Sequence, residues 1–280
     1  ATCDDGTCCY ADTSYTNITA CDSVVWNGVT YDSSGQFTYV PEFMQIGGDI
    51  DGESAYDECG QSVSLSSDGN TMAIGSPNND GNGSDAGHVR IYENISGSWS
   101  QIGQDIDGEA QGDQSGYSVS LSAAGNTVAI GAYQNDGNGS NSGQNHNSGH
   151  VRIYENIAGS WSQIGQDIDG ESISMFGDQS GYSVSLSSDG NTVAIGAIKN
   201  DGNGNDAGHV RVYENIGGSW SQIGQDIDGE ASSDWSGWSV SLSSDGNTVA
   251  IGAIKNAGNG NNAGHVRIYE NIQGSWSQIG

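Results

Sequence analysis

Positive charge is the scarcest property of this sequence. Lysine and arginine contribute 6 of the 280 residues, whereas aspartate and glutamate contribute 35, and the formal net charge is −29. Nucleic acids and anionic membranes are bound through clustered lysine and arginine, so the composition excludes nucleic acid as a partner.

Long apolar runs are missing as well. No stretch reaches the roughly 18 apolar residues of a membrane-spanning helix, so we expect no membrane insertion.

Cysteine is confined to the beginning of the chain. The five residues are Cys3, Cys8, Cys9, Cys21 and Cys59. Their spacing fits neither a zinc ribbon nor a redox Cys-x-x-Cys pair, so we predict disulfides formed in an oxidising compartment and a secreted or cell-surface location. Five is an odd number, so one thiol is free or pairs outside the chain, and the pairing stays open. A bridge to Cys59 would dock the N-terminal arm on the first repeat.

A repeat occupies most of the chain. The string Gln-Ile-Gly recurs at spacings of 56, 62, 59 and 56 residues, starting at Gln45, Gln101, Gln163, Gln222 and Gln278. Periods of this size indicate stacked supersecondary units. We therefore predict two regions: a Cys-rich N-terminal arm over 1–42, with a β-hairpin around Asn27-Gly28, and a repeat domain over 43–280. The repeats run over about 43–100, 101–162, 163–221 and 222–280.

Each repeat has the pattern of four short strands. In the second copy, apolar residues alternate in Tyr117–Ser122, Thr127–Ala132 and His150–Tyr154, and a fourth strand follows at Gly159–Ile164. Period-two alternation between Gly- and Asn-rich turns is typical of antiparallel strands. With only two prolines, the chain relies on Gly, Asn and Asp for its turns. The prediction is an all-β fold of four tandem four-stranded antiparallel blades, arranged as a β-propeller or as an open propeller-like array.

The strand motifs resemble a known family. Gly-Tyr-Ser-Val-Ser-Leu-Ser followed by Thr-Val-Ala-Ile-Gly-Ala is similar to the FG-GAP repeat, the blade unit of the integrin α-chain propeller, over residues from about 43 to 280. The Phe-Gly start is absent, and the Gly-Ala-Pro end appears only as Gly75-Ser76-Pro77. The Ser-Ser-Asp-Gly-Asn-Thr and Gly-His-Val-Arg-Ile-Tyr strings also resemble WD-type repeats. Both resemblances imply propeller blades. The N-terminal arm resembles fragments of adhesive modules in large bacterial surface proteins.

An acidic motif, Asp-x-Asp-Gly-Glu with a further Asp behind it, occurs in every repeat. Carboxylates at alternating positions of a turning loop supply the oxygens that calcium takes, so calcium is the candidate cofactor. The alternative is that these residues cap turns by accepting backbone N–H bonds. The candidate ligands are Asp49, Asp51, Glu53 and Asp57; Asp105, Asp107, Glu109 and Asp113; Asp167, Asp169, Glu171 and Asp178; and Asp226, Asp228, Glu230 and Asp234.

Three further recurring features have a structural and a functional interpretation. The Asn-Asp-Gly-Asn-Gly loops are interpreted as turns, and the integrin-type calcium loop has no counterpart between the first two strands. Each Gly-His-Val-Arg strand carries a His that can bind metal, but we expect its Arg to pair with a repeat carboxylate and tie blades together. A Trp recurs in each fourth strand and is expected to pack between blades. Trp235 and Trp238 occur only in the last repeat and are the candidates for ligand binding.

These observations predict function only in outline. The acidic groups repeat in every unit, whereas an active site breaks such symmetry, so we expect that the protein is not an enzyme. The first hypothesis is an extracellular binding or adhesion module with calcium as its candidate stabilising cofactor, whose partner is a protein or glycan at a surface. The alternative is a structural subunit of an extracellular fibre or sheath, in which copies of the chain assemble by strand exchange.

Overall fold

The structure is a computed structural model that describes residues 45–136, 147–171 and 177–280, together with the backbone of two short strands near the start. The chain divides into a unit of residues 1–46 and a unit of residues 47–280. In the first unit, β1 (Val24–Trp26) pairs antiparallel with β2 (Val29–Tyr31), and Trp26 lies opposite Val29. This register is the one expected for a two-residue connection at Asn27-Gly28. Cys3, Cys8, Cys9 and Cys21 lie outside the described residues.

The second unit contains four antiparallel sheets, which we call blades 1 to 4. Blade 1 contains β3 (Ser62–Leu65), β4 (Thr71–Ser76), β5 (His88–Ile95), β6 (Ser98–Gln101) and β7 (Ile106–Asp107). Blade 2 contains β8 (Ser118–Leu121), β9 (Thr127–Ala132), β10 (His150–Ile157), β11 (Ser160–Gln163) and β12 (Ile168–Asp169). Blade 3 contains β13 (Ser180–Leu186), β14 (Thr192–Ala197), β15 (His209–Ile216), β16 (Ser219–Gln222) and β17 (Ile227–Asp228). Blade 4 contains β18 (Ser236–Leu242), β19 (Thr248–Ala253), β20 (His265–Ile272) and β21 (Ser275–Gln278).

Within each blade, four strands pair in chain order. The two-residue strands β7, β12 and β17 form a fifth, short edge: β7 pairs with the start of β5, so that Ile106 lies opposite Val89. The linker after each fourth strand therefore returns to the third strand before the next blade begins. The prediction of an all-β chain with four four-stranded antiparallel blades is confirmed.

The turn between the first two strands shows why this sequence forms hairpins. In blade 1, the Asp68 carboxylate accepts hydrogen bonds from the Ser66 hydroxyl (2.7 Å) and from the backbone N–H of Asn70 (2.9 Å). These bonds lower the pKa of Asp68 to about 2. Gly69 has a φ of 70°, a backbone conformation that a residue without a Cβ adopts without strain. The Ser-Asp-Gly-Asn string thus closes its own turn.

The hydrophobic core lies between blades. One cluster joins Val89 and Ile91 of blade 1 to Leu121, Val128 and Ile130 of blade 2, and equivalent clusters join blades 2 and 3 and blades 3 and 4. Each blade thus buries its third strand under the first two strands of the next blade. No blade has a complete core by itself, as expected for stacked repeats.

Backbone atoms of consecutive blades approach each other directly at glycines. A Cβ on Gly131 in β9 would collide with the carbonyl oxygen of Gly181, which begins the first strand of the next blade, and Gly75 and Gly196 meet Gly116 and Gly237 in the same way. We call this line of close contact between consecutive blades the seam. Serine hydroxyls also bond across it: Ser118 Oγ donates to the Gly181 oxygen (2.8 Å), and Ser120 Oγ accepts from the Leu186 N–H (2.9 Å).

The two end blades leave one face uncovered. In blade 1, Val63 and Leu65 are 62% and 56% exposed, whereas the equivalent Leu121 of blade 2 is 7% exposed. In blade 4, Val266 and Ile268 are 67% and 41% exposed, whereas the equivalent Val89 of blade 1 is fully buried. Each end of the array therefore carries one half of the interface that joins neighbouring blades.

The proposed disulfide at Cys59 is wrong. Cys59 is a free thiol, and its Sγ accepts a hydrogen bond from Arg90 Nη2 at 3.6 Å. Its position in the repeat is occupied by the buried serines Ser115, Ser180 and Ser236 in the other copies. The serines lie beside glycines of the preceding blade, whereas Cys59 begins blade 1 and is partly exposed.

The glycine seam leads to a stability prediction. Gly131→Ala should lower the free energy of unfolding by about 2–4 kcal/mol, because the new methyl group meets the Gly181 backbone, which cannot move without shifting the next blade. Gly252→Ala is the matched control: its Cβ meets Ser239 Oγ, as a Cβ on Gly131 meets the equivalent Ser118 Oγ, but it meets no backbone of a neighbouring blade. Urea unfolding of both variants measures the difference, and equal losses would contradict the seam.

Candidate functional site

The acidic motif lies where one blade passes to the next. Residues Asp105–Glu109 follow β6, and their pairing with β5 sets the orientation of each side chain: Ile106 is buried in the core, and Asp107 lies opposite His88. The side chains of a β-strand alternate between its two faces. Ile106 therefore points to the core and the Asp residues beside it to the other face. The first Asp and the Glu contact different blades, since Asp105 lies 3.9 Å from His88 of blade 1 and Glu109 lies 3.8 Å from His150 of blade 2.

The arginines bind the middle of the motif. Arg152 Nη2 donates to the carbonyl oxygen of Asp107 at 2.7 Å, and Arg152 Nη1 lies 3.6 Å from a carboxylate oxygen of Glu109. Arg90, Arg211 and Arg267 repeat this arrangement with Asp51 and Glu53, Asp169 and Glu171, and Asp228 and Glu230. Each Arg is also within 5.4–5.7 Å of the ring of the Tyr two residues later. The arginines thus hold the linker to the blade that follows it.

Each histidine faces carboxylates from two different linkers. His150 Nδ1 lies 3.8 Å from Glu109, before blade 2, and 4.0 Å from Asp167, after blade 2. Three groups of this kind, which we call the His clusters, occur among the described residues, and their ligand atoms lie within 4.8 Å of one another. The His clusters are Glu53, His88 and Asp105; Glu109, His150 and Asp167; and Glu171, Asp178 and His209. In the third cluster both carboxylates belong to the linker before blade 3, and Asp226 of the linker after it also lies 3.9 Å from His209 Nδ1.

Burial keeps these histidines neutral. The side chains of His88, His150 and His209 are 1% exposed. Desolvation, followed by the nearby arginine, lowers the pKa of His150 and of His209 to about 4. Burial also raises the pKa of Glu109 and Glu171. Uncharged imidazole nitrogens therefore lie beside carboxylates at neutral pH.

The last Asp of each motif caps a turn. Asp234 Oδ2 accepts from the Ala231 N–H (3.0 Å) and from Asn256 Nδ2 (2.9 Å), and it is 3% exposed. Asp57 and Asp113 accept equivalent backbone bonds from Ser54 and Ala110, and Asp178 accepts one from Glu171. These contacts are the turn chemistry that the sequence offered as the alternative to calcium.

The Asn-rich loops and the repeated tryptophans tie blades together. Asn82 Nδ2 donates to the Gly108 oxygen in the next linker at 2.8 Å, and Asn79 Oδ1 accepts from the Gly81 N–H at 2.8 Å. Trp161, Trp220 and Trp276 are 4% exposed, and each Nε1 donates at 2.9 Å to an isoleucine carbonyl in the preceding linker. These tryptophans therefore pack between blades.

A row of half-buried aromatic side chains crosses blades 2 to 4, and we call it the aromatic row. Neighbouring ring centroids are 4.3–5.6 Å apart, and Trp235 stacks on Trp238 with an interplanar angle of 11°. Both lysines of the chain reach it: the Nζ atoms of Lys199 and Lys255 lie 4.3 and 3.0 Å from the centre of the Trp235 ring. The row consists of Tyr117, Tyr133, Tyr182, Trp235 and Trp238.

Much of the row falls at positions where the repeats differ from one another. The strands are nearly identical between repeats, but four positions change in size and chemistry, and we call the surface they form the variable surface. Gln114 Nε2 donates to Asn78 Oδ1 at 3.0 Å, and Gln134 Nε2 donates to Gln114 Oε1 at 2.9 Å, so these positions meet across blades. The four sets are Glu58, Gln114, Gln179 and Trp235; Gln61, Tyr117, Tyr182 and Trp238; Pro77, Tyr133, Ile198 and Ile254; and Asn78, Gln134, Lys199 and Lys255.

Trp235 and Trp238 were found from the sequence because they are absent from the other repeats. The three tyrosines and the two lysines were missed, although aligning the repeats and marking the positions that change would have identified them. The contacts of Tyr182 with Tyr117, Tyr133 and Trp238, and that of Lys199 with Trp235, join different blades, and no spacing within one repeat predicts them.

Comparison with known proteins agrees with this geometry. The family model of the FG-GAP repeat matches residues 51–92, 106–146, 170–213 and 227–269. The chain belongs to the FG-GAP repeat family. Each match begins inside a linker motif and includes the first two strands of the blade that follows it. FG-GAP repeats are typical of extracellular proteins, and no helix long and apolar enough to cross a membrane occurs in the described part of the chain.

Two solved structures resemble this chain at low sequence identity. The periplasmic gluconolactonase of Pseudomonas aeruginosa is 18% identical, with a TM-score of 0.51 over 78% of this chain and 56% of that one. Hydrazine synthase of Kuenenia stuttgartiensis is 13% identical, with a TM-score of 0.48 over 83% of this chain and 53% of that one. This FG-GAP chain thus spans little more than half the length of either protein. Comparison with curated proteins gives no match.

The FG-GAP chain contains acidic groups that can bind a metal, but they are not grouped as the motif spacing predicts. The four acidic residues of a motif divide between a His cluster, an arginine and a turn cap. FG-GAP repeats are often calcium-binding, and calcium takes six to eight oxygen ligands. A His cluster offers one imidazole and two carboxylates. Calcium binding stays a prediction for this chain, and the His clusters do not have the ligand set that calcium prefers.

The capping role of the last Asp has its own test. Asp234→Ala should lower the free energy of unfolding by about 2 kcal/mol, because a backbone N–H and the Asn256 amide lose their shared acceptor in a buried position. Asp201→Ala is the control, since the equivalent residue of blade 4 is naturally Ala257; its effect should stay within about 0.5 kcal/mol. Both values should be unchanged by chelator. A chelator-dependent loss for Asp234→Ala would assign this carboxylate to a metal.

Proposed function

We propose that this chain is an extracellular binding module that holds its ligand on the variable surface. The observation that carries the proposal is the convergence of changing positions from four nearly identical repeats onto one surface. Residues that build the scaffold are the same in every blade, because every blade makes the same contacts. Residues that contact an asymmetric ligand have no such constraint, and binding surfaces of repeat proteins are built from them.

The chemistry of the variable surface favours a glycan. Sugars present C–H faces and hydroxyl groups, which are contacted by aromatic rings and by amides. The aromatic row supplies the rings, and Gln114, Gln134 and Gln179 supply amides. Because the rings contact one another, they are held in place before a ligand arrives, which reduces the entropy lost on binding.

Binding fits these residues better than catalysis does. The titratable groups of the molecule are concentrated in linkers that recur in each blade, whereas the variable surface is rich in rings, amides and the two lysine ammonium groups. Lys199 is paired with Asp206 at 2.8 Å, and in blade 4 the residue equivalent to Asp206 is Asn262. The Lys255 charge is therefore available to an acidic or polar group of the ligand.

The binding proposal is tested on a glycan array followed by calorimetry on the best glycan. Trp238→Ala should weaken binding about tenfold or more, because a central aromatic side chain of the row is lost. Gln61→Ala changes the same repeat position in blade 1, outside the row, and should leave the affinity within about twofold. If no glycan binds the unmodified chain, or if Trp238→Ala binds as tightly as the parent, the variable surface is not a glycan site.

A second function, structural subunit of a fibre, is favoured by the uncovered end faces. In blade 1, the face that carries Val89 and Ile91 is covered by Leu121 of blade 2. The exposed face of blade 4, with Val266 and Ile268, is equivalent to this face of blade 1, and the exposed Leu65 of blade 1 is equivalent to Leu121. The two ends of one chain are thus complementary to each other. Such a head-to-tail contact does not close on itself in a dimer and propagates into longer assemblies.

The fibre proposal is tested by sedimentation velocity over a range of chain concentrations. The parent chain should form species larger than a monomer, and Leu65→Glu should shift them to monomer, because a carboxylate would be buried in the apolar contact. Ile95→Glu is the control, since Ile95 is equally exposed (57%) and lies at the outer end of β5. A monomeric parent chain, or equal behaviour of the two variants, would rule out this assembly.

A further inference from the structure

The His clusters contain buried nitrogen atoms that the protein does not satisfy. His209 is 1% exposed, and neither its Nδ1 nor its Nε2 has a hydrogen-bond partner among the described residues. Its Nδ1 is directed towards Glu171 at 4.0 Å and Asp226 at 3.9 Å. These separations are too long for a hydrogen bond. A buried polar atom without a partner costs free energy, so its orientation towards two carboxylates indicates that a further group lies between them.

We propose that each His cluster binds a divalent transition-metal cation such as Zn²⁺. The ligand atoms of a cluster lie within 4.8 Å of one another, and the His–carboxylate separations are 3.8–4.0 Å. A point between three such atoms is about 2.3–2.7 Å from each of them, which small side-chain movements would bring to the roughly 2.0–2.2 Å of zinc bonds to imidazole and carboxylate. One histidine and two carboxylates supply three ligands, and solvent completes the set. A neutral imidazole is the form that coordinates a metal. The proposal is independent of the glycan and fibre proposals.

The surrounding side chains orient the ligands. Glu109 divides its carboxylate: one oxygen lies 3.6 Å from Arg152, and the other faces His150. Asp167 does the same, since Oδ1 accepts from Gln163 Nε2 at 2.6 Å and Oδ2 faces His150. Outer partners of this kind fix the direction of metal-ligating carboxylates. The repeat thus leaves one oxygen of each acidic residue for the cluster.

The imidazole selects the class of cation. Nitrogen ligands suit zinc, nickel and copper, whereas calcium and magnesium take oxygen ligands. A cation in the second cluster would connect the linker before blade 2 (Glu109), the third strand of blade 2 (His150) and the linker after it (Asp167). The metal would therefore hold both ends of one repeat unit together, and its binding free energy would add to the stability of the array.

The number of sites follows from the sequence. His265 of blade 4 faces Glu230 at 3.6 Å, but the described chain contains no linker after blade 4 to supply the second carboxylate. Three cations per chain are therefore expected, although four histidines occupy this position. Asp49 stands at the same motif position as Asp105 and Asp167 but belongs to none of the His clusters.

The test is a calorimetric titration of the tag-free, EDTA-treated chain with Zn²⁺, and with Ca²⁺ in parallel. The parent should take up about three zinc ions. Asp167→Asn should take up about two, because the amide keeps the shape and the acceptor for Gln163 but removes the anionic ligand. Asp49→Asn, which makes the same change of charge, should still take up about three. Co²⁺ in place of Zn²⁺ should give a visible absorption spectrum that loses about a third of its intensity in Asp167→Asn.

The circular dichroism spectrum and melting temperature of each variant without metal show whether it is folded. His150→Gln provides a second variant of the same cluster and should also reduce zinc uptake by about a third. Equal zinc uptake by the parent chain and Asp167→Asn would overturn the proposal. Displacement of zinc by a tenfold excess of Ca²⁺ would also overturn it and would assign the clusters to calcium.

Discussion

Direct backbone contact between consecutive blades is the constraint on which the rest of the structure depends. At each seam, a glycine in the second strand of one blade meets the carbonyl oxygen of a glycine that begins the next blade. This approach brings the third strand of one blade close enough to bury its valine and isoleucine under the first two strands of the next. It also brings the acidic linkers against the histidines and arginines of the third strand. A wider seam would separate these groups and open the core.

The seam also explains how a chain with a net charge of −29 folds into closely packed sheets. The acidic residues of the linkers have three roles: the last Asp of a motif caps a turn, the first Asp faces a buried histidine, and the Glu contacts both an arginine and a histidine, as Glu109 does. Like charges brought together in a poorly solvated place repel one another strongly. By distributing its carboxylates over turns, arginines and clusters, each repeat avoids placing four of them around one point.

The sequence predicts the parts of this structure that are local. The 56–62-residue period, the Ser-Asp-Gly-Asn turns and the alternation in Thr-Val-Ala-Ile-Gly-Ala give the number of blades, their strands and their order, because hairpins form between neighbouring residues. The acidic motif was only partly understood, since its alternation suggested one calcium loop. Instead, Asp105 lies beside His88 of the blade before the linker and Glu109 lies beside His150 of the blade after it, so the two carboxylates belong to different clusters. The His clusters and the aromatic row combine residues from different repeats, and their geometry depends on the seam, which no spacing within a repeat defines.

The division between constant and variable positions separates two kinds of role in this molecule. Arginine, histidine, the fourth-strand tryptophan and the seam glycines are the same in every blade because each blade must fit its neighbour. A metal bound at the His clusters would belong to this constant set, so it would strengthen the scaffold without selecting a ligand. One repeat position holds an amide in blade 1 (Gln61), a phenol in blades 2 and 3 (Tyr117 and Tyr182) and an indole in blade 4 (Trp238), a change that packing between identical blades does not require. Their variation is explained if the surface they form recognises something that lacks the symmetry of the scaffold.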